Sequence, residues 1–188
     1  KGFVSIVGRN GAGKTTLMRS IMGFIPYKKG NIMFNNELLK NNNSYKRALW
    51  GIGYMPEDRR LVPQLSVREN ILLPSWATNS NKERSSIKWI YDIIPELYDL
   101  AGRKAYSLSG GQQKLVAIAR ALTTGNKLLL LDEPFEGVAP ALANRILDLI
   151  LKLKDDNLIA VITESDEGHS KNFADCVFNI ERGEIKKQ

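Results

Sequence analysis

The feature that most constrains the fold of this chain is a glycine-rich segment, Gly8–Thr16, with the sequence GRNGAGKTT. It follows a short apolar run rich in β-branched residues, Phe3–Val7, and the helically spaced stretch Thr16–Met22 comes after it. A strand, a glycine-rich turn and a helix in this order form a loop whose backbone N–H groups surround a phosphate chain. The sequence therefore predicts an α/β fold with a phosphate-binding loop.

The residue types of this loop each suit a bound nucleotide. The glycines let the backbone curl inward, and the start of the following helix adds N–H donors and the positive end of its dipole. Lys14 is placed to contact the β- and γ-phosphates, and the Thr15 hydroxyl to ligate Mg²⁺. An ordinary strand-to-helix turn is the alternative, and the complete G-x-x-x-x-G-K-T pattern argues against it. The predicted nucleotide-binding residues are Gly8, Arg9, Asn10, Gly11, Ala12, Gly13, Lys14, Thr15 and Thr16.

A second candidate site follows four consecutive leucines, Leu128–Leu131. Such a run is typical of a strand buried on both faces of a parallel sheet, whose carboxyl end faces the ligand crevice. Asp132, at that end, is predicted to hold Mg²⁺ directly or through water, and Glu133 to polarise the attacking water. The alternatives are two merely solvated carboxylates, or Glu133 as a helix cap.

Between these two sites lies Leu108–Gln113, with the sequence LSGGQQ. With the three motifs in this order, the chain resembles the nucleotide-binding subunits of ABC transporters over essentially all of its length. The resemblance implies a P-loop NTPase core of the ABC type, with a mostly parallel sheet, an antiparallel β edge and an inserted helical subdomain. It assigns residues 1–65 and 108–188 to the ATPase core and 66–107 to the helical subdomain, and it implies ATP and Mg²⁺ as ligands.

In that family the LSGGQ segment contacts the γ-phosphate of ATP held by the opposite protomer. A serine hydroxyl and glycine N–H groups at the start of a helix form a second anion site, which fits this role. The resemblance therefore implies a head-to-tail dimer, either a homodimer or a heterodimer with a second ABC ATPase subunit. The residues expected to bind in trans are Ser109, Gly110, Gly111 and Gln112.

Three segments resemble the ATP-binding subunits of branched-chain amino acid importers. Glu57, within Tyr54–Arg60, occupies the place where most ABC domains carry a glutamine, and it is a candidate metal ligand. Leu65–Asn70 is similar to the family's L-T-V-x-E-N, and Phe135–Pro140 to its G-L-A-P segment. The implied function is ATP-driven import of amino acids or related polar solutes.

The family's γ-phosphate-sensing histidine has no obvious counterpart. Counting back from Ala174-Asp175 places its position on Ser165, or on Glu164 if the register moves by one. His169 lies one helical turn further on and is interpreted as a surface or capping residue, although a bulged loop would bring it to the site. Ser165 is taken as the third catalytic candidate beside Glu133 and Lys14, and slow ATP hydrolysis is expected.

The start of the chain also departs from the family pattern. Family members have a preceding β-segment with an aromatic residue that stacks on adenine, and that segment is expected to be missing here. Phe24 and Tyr27 are interpreted as core or surface aromatics instead.

The implied partners are transmembrane permease subunits and, indirectly, a solute-binding protein, with the chain peripheral on the cytoplasmic face of the inner membrane. The lone Cys176 excludes an internal disulfide, and no apolar stretch approaches the ~20 residues that span a bilayer. The net charge is +7, but Lys and Arg are dispersed, so no nucleic-acid partner is expected. A soluble ABC ATPase acting on nucleic acid or ribosomes, and a low-turnover regulatory module, are the alternative functions.

The remaining segments are predicted from local patterns. An edge hairpin turns at Asn35-Asn36, a closing hairpin turns at Arg182-Gly183, and Pro95 interrupts the helical lobe. A loop is predicted at 40–44 and a polar break at 78–83. Three aromatic residues of the helical lobe are expected in the core, namely Trp76, Trp89 and Tyr98. If any of them is exposed, the alternative is a contact with the transmembrane partner.

Overall fold

The computed structural model describes residues 2–39, 44–78, 86–156 and 158–187. Its main sheet has six strands in the order β4-β5-β6-β1-β7-β8, and a separate two-stranded sheet pairs β2 with β3. The strands are β1 Phe3–Val7, β2 Met33–Phe34, β3 Glu37–Leu38, β4 Ile52–Met55, β5 Leu128–Asp132, β6 Ala160–Glu164, β7 Cys176–Glu181 and β8 Glu184–Lys187.

The helices cover both faces of the sheet, as a mostly parallel sheet requires. A 3₁₀ turn, Ala105–Ser107, leads into the long helix α6. The helices are α1 Lys14–Ile21, α2 Ser44–Leu49, α3 Val67–Thr78, α4 Ile87–Ile93, α5 Glu96–Asp99, α6 Gly110–Thr124, α7 Pro140–Asp155 and α8 Ser170–Phe173.

The strands in the middle of the sheet bring the predicted motifs together. β1 lies between β6 and β7, and β5 lies beside β6, all parallel. Leu129, Leu130 and Leu131 of β5 are fully buried, as the apolar run predicts. The register pairs Val7 with Glu164 and Asp132 with Thr163, so the carboxyl ends of three strands meet at one edge.

The segment 66–107 contains α3, α4 and α5, with Pro95 separating the last two. Its two ends lie side by side, because Val67 donates a backbone hydrogen bond to Arg103 (2.9 Å) and Ala105 donates one to Leu65 (3.0 Å). Adjacent ends are what an inserted subdomain needs, although the predicted boundaries stay a prediction. Among the described residues no helix has both the length and the apolar character to cross a membrane.

Several local predictions need correction. The hairpin of β2 and β3 does turn at Asn35 and Asn36, both with positive φ, but it forms its own sheet instead of an edge of the main one. Trp76 and Tyr98 are 56% and 69% exposed, so their assignment to the core is wrong. Trp76 lies near the end of α3 and Tyr98 on the short helix α5, where it packs edge-on against Tyr91.

Other predictions hold or fall outside the described residues. Trp89 packs against the main core, and β7 and β8 form the closing hairpin at Arg182-Gly183. The predicted loop at 40–44 lies outside the described residues except for Ser44, which begins α2. The predicted polar break at 78–83 lies outside them except for Thr78, the last residue of α3.

Candidate functional site

The phosphate loop connects β1 to α1 and depends on its glycines. Gly11 and Gly13 have φ values of 81° and 112°, in the left-handed region that glycine adopts without strain. A Cβ on Gly8 would collide with the backbone carbonyl of Ile180, so only glycine fits where the loop crosses β7. Because Gly13 precedes α1 and has no side chain, the first turn of that helix is left open to an anion.

Lys14 lies at the centre of the loop and is only 3% exposed. Its ammonium donates to the backbone carbonyl of Gly8 and to that of Arg9 at 3.1 Å. The same Nζ forms an ion pair with Glu133 Oε1 at 3.0 Å. The loop therefore wraps around a buried cation, which suits contact with a phosphate chain.

Glu133 follows β5 directly and has a φ of 51°, unusual for a residue other than glycine. Its backbone N–H donates to the backbone and hydroxyl oxygens of Thr163, and its Oε2 accepts from the Ser165 hydroxyl at 2.8 Å. Burial alone would raise the pKa of this carboxyl, but hydrogen bonds with Glu136, Ser165 and Lys14 hold it below its usual value. Glu133 is thus ionised and oriented, as a base must be.

Asp132 is fully buried behind Glu133. Its Oδ1 accepts from the Thr163 hydroxyl at 2.7 Å and its Oδ2 from the Tyr54 hydroxyl at 3.2 Å. Burial, with the neighbouring Asp132 charge, raises the pKa of Tyr54, so the phenol stays a donor. The carboxylate is held by two hydroxyl groups, an arrangement that fixes its orientation.

A cavity of about 310 Å³ opens over the phosphate loop. Glu57, from the segment after β4, and Glu133 face it together with the loop. Asp132 is not part of the lining, which agrees better with the indirect, water-mediated form of its predicted metal contact. The lining residues are Asn10, Gly11, Gly13, Lys14, Thr15, Thr16, Glu57 and Glu133.

The signature residues lie elsewhere, at the start of α6. Ser109 and Gln112 form a capping box, with Ser109 N–H donating to Gln112 Oε1 (3.0 Å) and Gln112 N–H donating to Ser109 Oγ (3.3 Å). Arg59 donates to the backbone carbonyl of Gly110 at 3.1 Å. Ser109 and Gly110 are exposed, and no signature residue lines the cavity over the phosphate loop.

Ser165, Glu164 and His169, the three candidates for the position of the family's γ-phosphate-sensing histidine, differ in what they contact. The Ser165 hydroxyl contacts Glu133 and, at 3.4 Å, Asn10 Oδ1. The Glu164 side chain is buried, does not line the cavity over the phosphate loop, and has one carboxylate oxygen without a hydrogen-bond partner among the described residues. His169 stacks on the Phe135 ring, 4.2 Å between ring centres, at the start of α8. Ser165 is therefore the candidate that touches the site, and its catalytic role stays a prediction.

A larger cavity of about 550 Å³ lies between the sheet and the helical segment. It shares Thr15 and Glu57 with the first cavity, so the two are continuous there. Phe24 and Tyr54, 6.0 Å apart between ring centres, contribute aromatic surface. The other lining residues are Arg19, Pro56, Asp58, Arg60, Leu73, Pro74, Ala77 and Arg120.

Four residues of the site were not identified from the sequence for the roles seen here. Thr163 and Tyr54 orient Asp132 by donating hydrogen bonds to its carboxylate. The contact of Thr163 with Asp132 depends on the pairing of β5 with β6, which a single sequence does not specify. Lys114, on α6, donates to the backbone of the Glu133 turn. Glu164 was considered only as a substitute for the histidine. The sequence signal for Lys114 is its position as a charged residue within the mostly apolar segment that forms α6.

A glycine loop around a buried lysine, with a carboxylate at the end of a second parallel strand of the same sheet, defines a P-loop nucleoside triphosphatase. The family model described as "ABC transporter" matches residues 2–136. The chain therefore belongs to the ABC transporter family, and it is an ATP-binding ATPase of that family.

Relatives with known names cover nearly the whole chain. The high-affinity branched-chain amino acid transport ATP-binding protein BraG of Pseudomonas aeruginosa is 31% identical, over 97% of this chain and 78% of that protein. The lipopolysaccharide export system ATP-binding protein LptB of Escherichia coli K12 is 32% identical, over 97% and 77%. The dimeric post-hydrolysis structure of the cassette MJ0796 with ADP and Pi gives a TM-score of 0.83 at 25% identity, over 99% and 85%.

Proposed function

We propose that this chain is the ATP-hydrolysing subunit of an importer for branched-chain amino acids or related polar solutes. The observation that carries the proposal is the convergence of Lys14, Glu57 and Glu133 on one cavity above the phosphate loop. Similarity to BraG supports the amino-acid assignment, and so do Glu57 and the segment Phe135–Pro140. Similarity to LptB, whose name states lipopolysaccharide export, makes the solute the part that needs a direct test.

The catalytic roles follow from the geometry of the site. Lys14 holds the phosphates, and the ionised Glu133 polarises water for attack on the γ-phosphate. Mg²⁺ fits the oxygen donors present, because Thr15 and Glu57 line the cavity. Asp132, which is buried next to Glu133 in the chain, would contact the ion through water. The ion, once bound, neutralises charge on the phosphates. Among the described residues no group of three or more Asp, Glu, His or Cys side chains that could hold a metal ion is found.

The signature residues act in trans in this proposal. Ser109 and Gly110 are exposed at the N-terminus of α6 and do not face this chain's own phosphate-loop cavity. A second subunit packed head to tail, identical or related, would present its phosphate loop to them. The dimeric MJ0796 cassette supports dimer formation by a chain of this fold.

The helical subdomain, proposed as 66–107 against a core of 1–65 and 108–188, leads into the signature segment. The cleft of about 550 Å³ between the two parts adjoins Glu57 and is the proposed contact for a permease. Closing and reopening of the dimer would move this cleft and so drive transport. The chain would then be peripheral on the cytoplasmic face of the membrane, with a solute-binding protein acting on the other side.

The catalytic proposal is tested by the state of assembly of Glu133→Gln, with Lys14→Ala as the variant that does not bind. With Mg²⁺ and ATP, Glu133→Gln should form a dimer that retains two unhydrolysed nucleotides, because binding is intact and the base is lost. Size-exclusion chromatography with nucleotide analysis measures both. Hydrolysis at the wild-type rate by Glu133→Gln would refute the assignment of the base.

The solute is tested by uptake in the cells that carry this chain. Cells expressing only Glu133→Gln should lose uptake of labelled leucine or isoleucine while uptake of an unrelated solute is unchanged. Normal branched-chain amino acid uptake in those cells would refute the import assignment and leave the ATPase intact.

One observation favours a second candidate, a low-turnover nucleotide-dependent regulator. Ser165 occupies the place of the family's histidine and offers only a neutral hydroxyl to Glu133. A turnover rate too low to sustain measured uptake, together with tight ATP binding, would favour this candidate.

A further inference from the structure

The turn that carries Glu133 is held in a conformation that its own sequence does not favour. Glu133 has a φ of 51°, and its carbonyl accepts the N–H of Glu136 at 3.3 Å, closing the turn. A glutamate in the left-handed region is strained, and such strain persists only where the surroundings impose it. The residues that grip this turn therefore determine where the Glu133 carboxylate points.

Lys114 grips the turn from α6. Its side chain is 6% exposed, and its Nζ donates to the backbone carbonyl of Glu133 at 3.0 Å and to that of Glu136 at 2.6 Å. No carboxylate forms an ion pair with this ammonium among the described residues. Burying an ammonium is costly, and a buried ammonium that donates to two carbonyls of one turn serves to hold that turn.

The strand β6 holds the same turn from the other side, through Thr163. The backbone carbonyl and the hydroxyl of Thr163 accept the N–H of Glu133 at 3.1 Å and 3.2 Å. The backbone carbonyl of Glu164, the next residue of β6, accepts the N–H of Gly8 at 3.0 Å, at the entrance of the phosphate loop. The turn is thus held on one side by α6 and on the other by the strand next to the phosphate loop.

Lys114 connects the Glu133 turn to the signature segment, because it lies on the helix that Ser109 caps. Lys114 lies five residues after Ser109 on the same continuous helix, about one and a half turns of α6. A shift or rotation of the start of α6 therefore reaches the carbonyl of Glu133 through one rigid helix and one side chain. In the proposed dimer Ser109 serves one nucleotide and Glu133 the other.

We infer that Lys114 is a positioning residue for ATP hydrolysis, which ties the signature helix to the backbone of Glu133 and so makes the geometry of one ATP site depend on occupation of the other. The inference rests on the proposed function, in which Glu133 is the base and Ser109 acts in trans.

The first test separates positioning from folding and from binding. Lys114→Met keeps the aliphatic stem and removes the donors, Lys114→Arg keeps donors and charge, and Lys152→Met removes an exposed lysine of α7 as the control. The Met variant should lose about ten- to a hundred-fold in kcat, as a displaced catalytic group does, with KM and the Kd for ATP within about two-fold of wild type. The Arg variant should recover most of kcat. An unchanged kcat in the Met variant overturns the inference.

The second test addresses the coupling with a double-mutant cycle of Ser109→Gly and Lys114→Met. Glycine removes the hydroxyl at little cost to the helix cap. If Lys114 transmits engagement of the signature, Ser109→Gly should lower kcat less in the Lys114→Met background than in the wild type. Independent, additive effects on kcat overturn the coupling.

A variant that fails to fold, a failure of the proposed function and a failure of this inference give three different results. If Lys114→Met does not fold, Lys114→Leu, which also removes the donors, takes its place, and a folded Leu variant with wild-type kcat overturns the inference. If Glu133→Gln hydrolyses ATP normally, the proposed function fails. If Glu133→Gln is inactive and Lys114→Met is not impaired, only the present inference fails.

Discussion

Lys14 and Glu133 form a buried ion pair, with 3.0 Å between Nζ and Oε1 and side chains that are 3% and 4% exposed. The two residues are 119 positions apart in the chain, and the parallel pairing of β1 and β5 with β6 brings their strand ends together. The Lys14 ammonium, which can bind a phosphate, therefore lies next to the Glu133 carboxylate, which can polarise a water nucleophile. A phosphate at the loop would lie beside the proposed base.

Replacement of Lys14 by alanine should abolish measurable ATP binding. It removes the buried cation of the loop and leaves the Glu133 carboxylate unneutralised where phosphates would bind. Loss of a charge-assisted contact predicts at least about a ten-fold rise in Kd, and the unpaired carboxylate adds to it. Calorimetric titration with ATP measures the effect, and Lys46→Ala, an exposed lysine of α2, is the matched control. An unchanged Kd for Lys14→Ala would contradict the assignment of the loop.

Replacement of Ser165 by alanine should lower kcat by about ten- to a hundred-fold, the value of one hydrogen bond to a charged group, and leave ATP affinity unchanged. The Ser165 hydroxyl donates to Glu133 Oε2 at 2.8 Å and so orients the proposed base. Ser165→Thr, which keeps the hydroxyl, should retain most of the activity. Steady-state ATPase rates measure both variants, and equal rates for Ala and Thr would remove Ser165 from the catalytic group.

Replacement of Glu57 by glutamine should change the Mg²⁺ dependence of ATP hydrolysis. Glu57 lines the cavity above the phosphate loop, beside Thr15. A carboxylate binds Mg²⁺ more strongly than an amide does, so half-maximal activity of the glutamine variant should require more Mg²⁺. Titration of the ATPase rate with Mg²⁺ at fixed ATP gives the answer. An identical curve would exclude Glu57 from the metal site.

Replacement of Glu164 by glutamine should stabilise the protein at neutral and alkaline pH more than at acidic pH. Burial, together with the nearby Glu133 and Asp166 and against the opposing effects of Phe135 N–H and Lys114, raises the pKa of Glu164 from 4.5 to about 8. At pH values between 4.5 and about 8, the unfolded chain has lost a proton that the folded chain keeps. The free energy of unfolding of the wild type therefore falls as the pH rises through this range and levels off above a pH of about 8.

Glutamine does not titrate, so its stability advantage over the wild type should grow across that window, to on the order of a few kcal/mol. Urea denaturation at pH values between 5 and 9 measures it, as about unit steps suffice to follow a single titration. Glu184→Gln, an exposed carboxylate of β8, is the control and should show no such trend. A constant difference across the pH range would show that Glu164 is ionised in the folded protein.

The sequence predicted most of the elements that carry chemistry. The glycine spacing of Gly8–Thr16 specified a strand, a loop and a helix, because Gly11 and Gly13 adopt φ values that other residues avoid. The four leucines of β5 predicted a doubly buried strand, and Ser109 with Gln112 predicted a helix start. These patterns are local, so the chain carries them without reference to distant contacts.

The sequence was a weaker guide where burial depends on distant segments. Trp76 and Tyr98 are of the aromatic type that is common in protein cores, but both are exposed. Residue type alone does not say which face of a helix packs inward, because that depends on the segments around the helix. The hairpin at Asn35-Asn36 was predicted by its turn residues, but its separation from the main sheet was not. Pairing between strands is a tertiary property.

By itself the sequence determined the phosphate loop, the acidic strand end and the signature helix, since each depends on the backbone preferences and spacing of adjacent residues. Only the tertiary structure decided that Thr163 orients Asp132, that Ser165 rather than Glu164 or His169 contacts Glu133, and that Lys114 holds the turn. Strand order and register bring these side chains together across 30 or more positions, or pack one helix onto a turn. The free energy that fixes them comes from burial shared by many residues, and no local pattern records it.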